Sequence, residues 1–185
     1  IQCVNCGHIL GFCPDTQKNT AFEPTENGLW KSLAPRSLGK LYKQCLNYSN
    51  ENVCNWMIPV TSTENFCLSC NLNQTIPDIN VGDNRKYWYK LEQAKRRLIY
   101  SILRLKLPLK NRKQDPGNGL VFEFLEGPGL SQPERSPVAT GHHKGLITIN
   151  VAEADDAVRV KVRVEMKERY RTLLGHFRHE IGHYY

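Results

Sequence analysis

The spacing of the cysteines limits this chain more than any other feature. Seven are present, and four of them form two close pairs, Cys3-Val4-Asn5-Cys6 and Cys67-Leu68-Ser69-Cys70. Two residues between thiols is the spacing of a knuckle that brings both sulfurs to one metal ion. In a reducing compartment such pairs hold metal far more often than they close disulfides. The odd total fits the same reading, because in an oxidised secreted chain it would leave one thiol over. Around these pairs the sequence is rich in Cys, Asn and Pro, and Gly7, Gly11, Pro14, Pro24, Pro35 and Pro59 interrupt any sustained periodic pattern. With so few apolar runs, residues 1–80 read as a loop-rich module in which metal ligation supplies part of the folding free energy.

Beyond a connector at Ile76-Pro77-Asp78 to Asp83-Asn84 the pattern changes. Trp88, Leu91, Leu98, Ile102 and Leu105 recur every three to four residues among Lys and Arg, which predicts an amphipathic helix from Arg85 to Leu107, ended by Pro108. Two short apolar runs, 120–125 and 145–151, are bounded by glycines and predict strands, with a Pro- and Gly-rich loop from 127 to 144 that includes His142 and His143. From Asp155 or Asp156 as N-cap, helical spacing returns through Val158, Val162, Met166, Tyr170, Leu174, Phe177 and Ile181. That run is long for one helix, so a break is expected between Glu165 and Arg169.

The last predicted helix ends in His179-Glu180-Ile181-Gly182-His183. Residues four apart share a helix face, so His179 and His183 are candidate ligands to one zinc ion. Glu180 beside them is the candidate general base, able to take a proton from water and pass it to a leaving amine. Leu173, Leu174, Phe177 and Ile181 give the motif the apolar surroundings of a core helix. A catalytic zinc site takes three protein ligands and keeps one open position. The chain stops two residues after His183, and none of His8, His142, His143 or His176 has a recognised spacing for the third place.

Charge points in a second direction. The net charge is +7, and between Arg85 and Lys113 there are eleven basic residues and one acid, Glu92. Such a stretch reads first as a solvated helix face and second as a patch for nucleic acid or an acidic partner. No run approaches eighteen uncharged apolar residues, and the first residues lack the basic and apolar regions of a signal peptide. The expectation is a soluble, cytoplasmic chain with no membrane partner.

Several stretches together resemble one family, the bacterial zinc-binding metallopeptidases with an N-terminal zinc-ribbon region. They are Cys45-Leu46-Asn47-Tyr48, Cys54-Asn55-Trp56, Cys67-Leu68-Ser69-Cys70, Leu91-Glu92-Gln93-Ala94-Lys95-Arg96-Arg97-Leu98, Gly145-Leu146-Ile147-Thr148-Ile149-Asn150, Glu153-Ala154-Asp155-Asp156 and the run from Tyr170 to Tyr185. The resemblance covers nearly the whole chain, and its last stretch is highly specific. It implies an α+β chain in which the loop-rich zinc-ribbon module is followed, over residues 85–185, by the N-terminal part of a zincin-like metallopeptidase domain. Residues 146–151 would then border the cleft, and an extended peptide would add there as a further strand. It also implies an acidic zinc ligand downstream, so the chain is expected to be a truncated part of a longer protein. Cys45, Cys54, Cys67 and Cys70 would close one structural four-thiolate zinc site, whereas Cys3 and Cys6 would need two upstream partners for a second. Cys13 fits neither set and reads as a free thiol, with a place beside Cys3 and Cys6 as the alternative.

The cofactors expected are therefore one catalytic zinc and one or two structural zincs, and the expected partner is a peptide or protein substrate. The rival expectation is a zinc-ribbon module that binds nucleic acid or a protein and carries a vestigial peptidase site. Motif specificity favours hydrolysis. The substrate, its cleavage preference and the oligomeric state are not written in the sequence.

Overall fold

The computed structural model describes residues 1–127, 138–165, 167, 169 and 171–185. They form two compact units, Ile1–Asn71 and Leu72–Tyr185.

The first unit is built on an antiparallel meander of five strands in chain order: β1 (Ile9–Cys13), β2 (Lys18–Pro24), β3 (Trp30–Ser32), β4 (Leu41–Gln44) and β5 (Met57–Pro59). Phe12 brings β1 back against the residues leading into β5. Its N–H donates to the Asn55 carbonyl at 2.6 Å, and its ring stacks on Trp56 at 4.2 Å. Phe22 and Tyr42 meet edge to face in the same core, beside buried Met57 and Ile58. This region holds more strand than its loop-rich composition suggests. Most of its strands are three to five residues long, too short to show alternation between the prolines and glycines that bound them. Cys13 belongs to this core: its sulfur lies 3.3 Å from the Tyr42 hydroxyl and 3.6 Å from Ser37, away from the other thiols.

The second unit pairs a four-stranded sheet with helices. The strands β6 (Asn73–Thr75), β7 (Val121–Leu125), β8 (Gly141–His143) and β9 (Leu146–Asn150) lie in the order β6-β7-β9-β8. The first three in that order run parallel, and β8 is antiparallel to β9. The helices are α2 (Asn84–Leu105), α3 (Asp156–Glu165) and α4 (Leu173–Tyr184); a single turn, α1 (Leu46–Ser49), lies in the first unit. Of β7's alternating residues, Phe122 and Phe124 both meet Phe177 of α4, and the Lys95 ammonium of α2 stands 5.7 and 5.5 Å from the same two rings. One sheet face is thus covered by α2 and α4, which also pack on each other.

Helix α2 ends where Lys106 turns left-handed at φ 56°. Its N–H and that of Leu107 reach back to Leu103 and Ile102, which closes the helix before Pro108. Leu105, expected in the apolar stripe, lies at this end and is exposed. The long final helix predicted from Asp155 onward is two helices, with Lys167 at φ 53° between them; Met166 and Tyr170 fall outside the described residues. On α3 no residue is buried, so its valines do not form the core stripe that their spacing suggested.

The basic face predicted for α2 is partly internal. Lys95 is fully buried and Arg96 nearly so. The Lys95 ammonium donates to the Asn73 side chain of β6 and, at 2.8 Å, to Glu92, which also accepts from Asn73 at 2.7 Å; Arg96 stands 3.9 Å from Glu92. A buried charge is tolerated only when paired and hydrogen-bonded, and this cluster meets both conditions while joining α2 to β6.

Candidate functional site

Cys45 stands at the N-cap of α1, Cys54 precedes β5, and Cys67 and Cys70 lie on one turn closed by the Asn71 N–H on the Cys67 carbonyl. The four sulfurs are buried and lie within 4.8 Å of one another, with Cys54 and Cys67 3.8 Å apart. Sulfurs at about 2.3 Å from a tetrahedral zinc stand about 3.8 Å apart, whereas a disulfide requires about 2.05 Å. The N–H groups of Trp56 and Cys67 point at the sulfurs of Cys54 and Cys45, each at 3.4 Å, and such donors favour thiolate. Burial pushes the Cys67 thiol well above the ordinary cysteine range, while hydrogen bonds from Cys54 and Cys67 hold Cys45 below it. Four thiolates cannot share a dry pocket without a cation, so the donor set fits zinc.

Cys3 and Cys6 form a knuckle of their own. The Gly7 N–H returns to the Cys3 carbonyl at 2.9 Å, and Gly7 takes φ 71°, which favours glycine. Backbone N–H groups of Cys6 and Asn5 hold the Cys3 thiol below its ordinary value. Among the described residues no third Cys, His or carboxylate completes a ligand group with this pair.

The histidine pair lies on α4. Thr172 caps the helix, its hydroxyl accepting from Gly175 N–H at 3.0 Å, and Phe177 and Ile181 hold it to the core. The Nε2 atoms of His179 and His183 are 3.2 Å apart. Two nitrogens at about 2.0–2.1 Å from a tetrahedral zinc stand about 3.3–3.4 Å apart, so the pair also fits one ion. Both imidazoles are exposed, whereas Glu180, between them and the core face, is buried. Among the described residues no third donor joins them in a ligand cluster.

Two features of the sheet differ from the sequence reading. His142 and His143 lie on a strand, β8, and not in a loop, because Lys144 and Gly145 both take positive φ, 46° and 79°, and turn the chain sharply into β9. A Cβ at Gly145 would run into the Asn118 carbonyl, so only glycine fits. Consequently residues 146–151 do not border the cleft: β9 is flanked by β7 and β8, and among the described residues β8 is the edge nearest the histidine pair. The His142 ring stacks 6.4 Å from that of His183, and its Nε2 accepts from Gly145 N–H at 3.0 Å. Burial, then the neighbouring His183, lower the His142 pKa.

A cavity of about 450 Å³ opens beside Glu180, with Thr140, Arg171, Thr172, His176 and His179 also in its wall. Behind the wall, the Glu153 carboxylate accepts from Arg171 at 2.7 Å and lies 3.4 Å from His176 Nδ1. His176 was assigned no part from the sequence, although it precedes His179 by three residues and Glu180 by four, the spacings of one helix face. The other acids of the Glu153-Ala154-Asp155-Asp156 stretch tie down the neighbouring elements. Asp155 accepts from Tyr87 of α2 at 2.7 Å, and that bond pushes the tyrosine up to about 12. Asp156 pairs with Lys90 at 2.8 Å and with Arg159, in that order the causes that hold it down at about 2.

Residues 1–81 match a zinc-ribbon domain, and residues 84–185 match the family described as "Putative zinc-binding metallo-peptidase". Uncharacterized proteins of Mycobacterium bovis and Mycobacterium tuberculosis are 41% identical over 190 residues, covering 100% of this chain and 52% of their own length. The chain thus spans about half the length of the curated relatives it matches. No solved structure matches. Among the described residues no helix is long and apolar enough to cross a membrane. With its N-terminal zinc ribbon, its buried four-cysteine cluster and a family match over more than half its length, the chain belongs to that zinc-binding metallopeptidase family.

Proposed function

We propose that this chain carries the catalytic helix of a zinc-dependent peptidase on a zincin-like domain, with His179 and His183 as zinc ligands and Glu180 as general base. The observation that carries the reading is the 3.2 Å separation of the two Nε2 atoms on one exposed helix face, with the buried Glu180 carboxylate between them and the core. When bound, zinc supplies Lewis acidity toward a scissile carbonyl and toward water. Glu180 accepts the proton of the attacking water and delivers it to the departing amine nitrogen. Among the described residues β8 is the sheet edge beside the pair, the place where an extended peptide would add as a further strand along Gly141–His143. A third protein ligand completes the site; we place it in the part of the relatives' length that this chain does not cover.

Cys45, Cys54, Cys67 and Cys70 hold a structural zinc in this scheme, and Cys3 with Cys6 contribute half of a second. The burial of Lys95 and Arg96 removes two cations from the basic stretch, which favours hydrolysis over nucleic-acid binding. Glu180→Gln in the full-length protein tests the assignment. Peptide hydrolysis should fall by about 10²–10⁴-fold with zinc content unchanged, and hydrolysis at the parental rate would contradict it.

A further inference from the structure

Strand β8 carries two histidines, and the sheet gives them different surroundings. His142 pairs with Ile147, which pairs with Phe122, and both of these are fully buried, Phe122 against Phe177 of α4. Residues directly opposite in a sheet point to the same face, so the His142 ring lies on the α4 side of the edge strand and His143 on the other. The ring is near-parallel to that of His183, with 13° between the planes and 6.4 Å between the centres, and it meets Tyr184 edge-on at 6.3 Å. Neither zinc ligation nor proton transfer in the proposed reaction uses this side chain.

The turn into β9 decides which ring nitrogen carries the proton. Nε2 accepts from the Gly145 N–H at 3.0 Å, so it presents a lone pair there, and the N–H of the ring is on Nδ1. With one nitrogen committed as an acceptor and the other protonated, neither is available to a metal ion. Among the described residues His142 does not join His179 and His183 in a ligand group. What the ring offers is a donor. Among the described residues its Nδ1 has no hydrogen-bond partner. The ring is only partly buried, and Gly145 and Tyr184 hold it beside the pair.

We propose that His142 is a further catalytic residue, its Nδ1–H donating to the scissile carbonyl oxygen as that oxygen becomes negative. This rests on the peptidase reading for the reaction and for the place of the peptide along Gly141–His143. When the water oxygen bonds to the carbonyl carbon, the π pair moves onto the carbonyl oxygen and Glu180 takes the proton of the water. His142 stabilises that oxygen without giving up its own proton. When the C–N bond breaks, the pair returns to the carbonyl and the proton held by Glu180 leaves with the amine. A donor fixed before the charge forms costs no reorganisation, and one such donor is worth about 10²–10³-fold in kcat.

Two substitutions separate this role from bracing of the turn. His142→Asn keeps an N–H near the place of Nδ1 and loses the acceptor for Gly145, whereas His142→Gln keeps an acceptor near Nε2 and loses the donor. Each is made in the full-length, zinc-loaded protein carrying Glu180→Gln. Calorimetry then gives its affinity for the tightest of a panel of phosphinic tripeptides, in which a phosphinate replaces the scissile amide, and for the matching amide peptide. His142→Gln should weaken the phosphinic peptide about tenfold or more, with the amide peptide and zinc content unchanged, and His142→Asn should keep most of the affinity.

Equal weakening of both peptides, a loss with Asn but not with Gln, no loss in either variant, or loss of zinc overturns the proposal. With Glu180 restored, His142→Gln should lower kcat by about 10²–10³-fold and leave KM in place. Selective weakening of the phosphinic peptide, with no peptide cut by the parent, would uphold the donor and count against the peptidase reading alone. Peptides cut equally by the parent and His142→Gln would count against the donor alone. A panel of which no member binds overturns the donor, and the peptidase reading with it if the parent cuts nothing.

Discussion

The two metal-type clusters use opposite geometries. In the ribbon, four thiols converge from three separate segments into a buried group within 4.8 Å, with backbone N–H donors aimed at two of the sulfurs. On α4, two imidazoles stand on a single helix turn, exposed, beside one buried carboxylate and a cavity of about 450 Å³. A closed tetrahedral set leaves no position for a substrate, whereas a set with an open side exists to admit one. The ribbon cluster also ties Cys45, just after β4, and Cys54, ahead of β5, to the turn of Cys67 and Cys70. The imidazoles sit on a helix already fixed by Phe177 and Ile181. Folding should therefore depend on metal in the first case and not in the second.

The largest effect should come from breaking the closed set. Cys67→Ser removes one thiolate and leaves three in a dry pocket, and the free energy at stake is that of a structural zinc site, about 10 kcal/mol or more near pH 7. Near-ultraviolet circular dichroism, which reads the Phe12–Trp56 stack, should collapse to that of an unfolded ribbon. His183→Ala should leave that signal and the melting temperature in place. A ribbon that keeps its signal after Cys67→Ser would break the comparison.

The next effect sharpens the other side. If α4 is held by packing and not by metal, Phe177→Ala should cost about 3–5 kcal/mol in denaturant unfolding, because its ring is fully buried against Phe122 and Phe124. Thr172→Ala, which removes the helix cap, should cost about 1 kcal/mol by the same measurement. Smallest is the contribution of Asp156. Lys90 and then Arg159 hold its folded value at about 2, below the ordinary 3.8 of an aspartate. Its stabilisation is therefore present above about pH 4 and lost as pH falls toward 2. The carboxylate lies in water, so Asp156→Asn should reduce acid sensitivity by well under about 1 kcal/mol, read as a flatter dependence of the melting temperature on pH across that window.

Some of this arrangement was legible in the amino-acid order. Trp88, Leu91, Leu98 and Ile102 announced α2, the β-branched run at 146–150 announced β9, and the His-Glu-x-x-His spacing placed two imidazoles on one helix face. What escaped notice depends on partners distant in sequence or on unusual backbone. Lys95 looks like a surface cation until Asn73, 22 residues earlier, comes into hydrogen-bonding reach. Strand β8 was hidden because its turn begins with Lys144 at a positive φ, where asparagine or aspartate is the usual signal. The valines of α3 have core spacing without being buried, and periodicity alone cannot tell the two apart. Glu153 became meaningful only once the fold set it behind both Arg171 and His176.

The central claim, one closed and one open zinc site, is tested most directly by zinc content per chain of the full-length protein with and without His183→Ala. The account predicts that the variant loses one zinc per chain and keeps the remainder together with a folded ribbon. Zinc content unchanged by the substitution would contradict it.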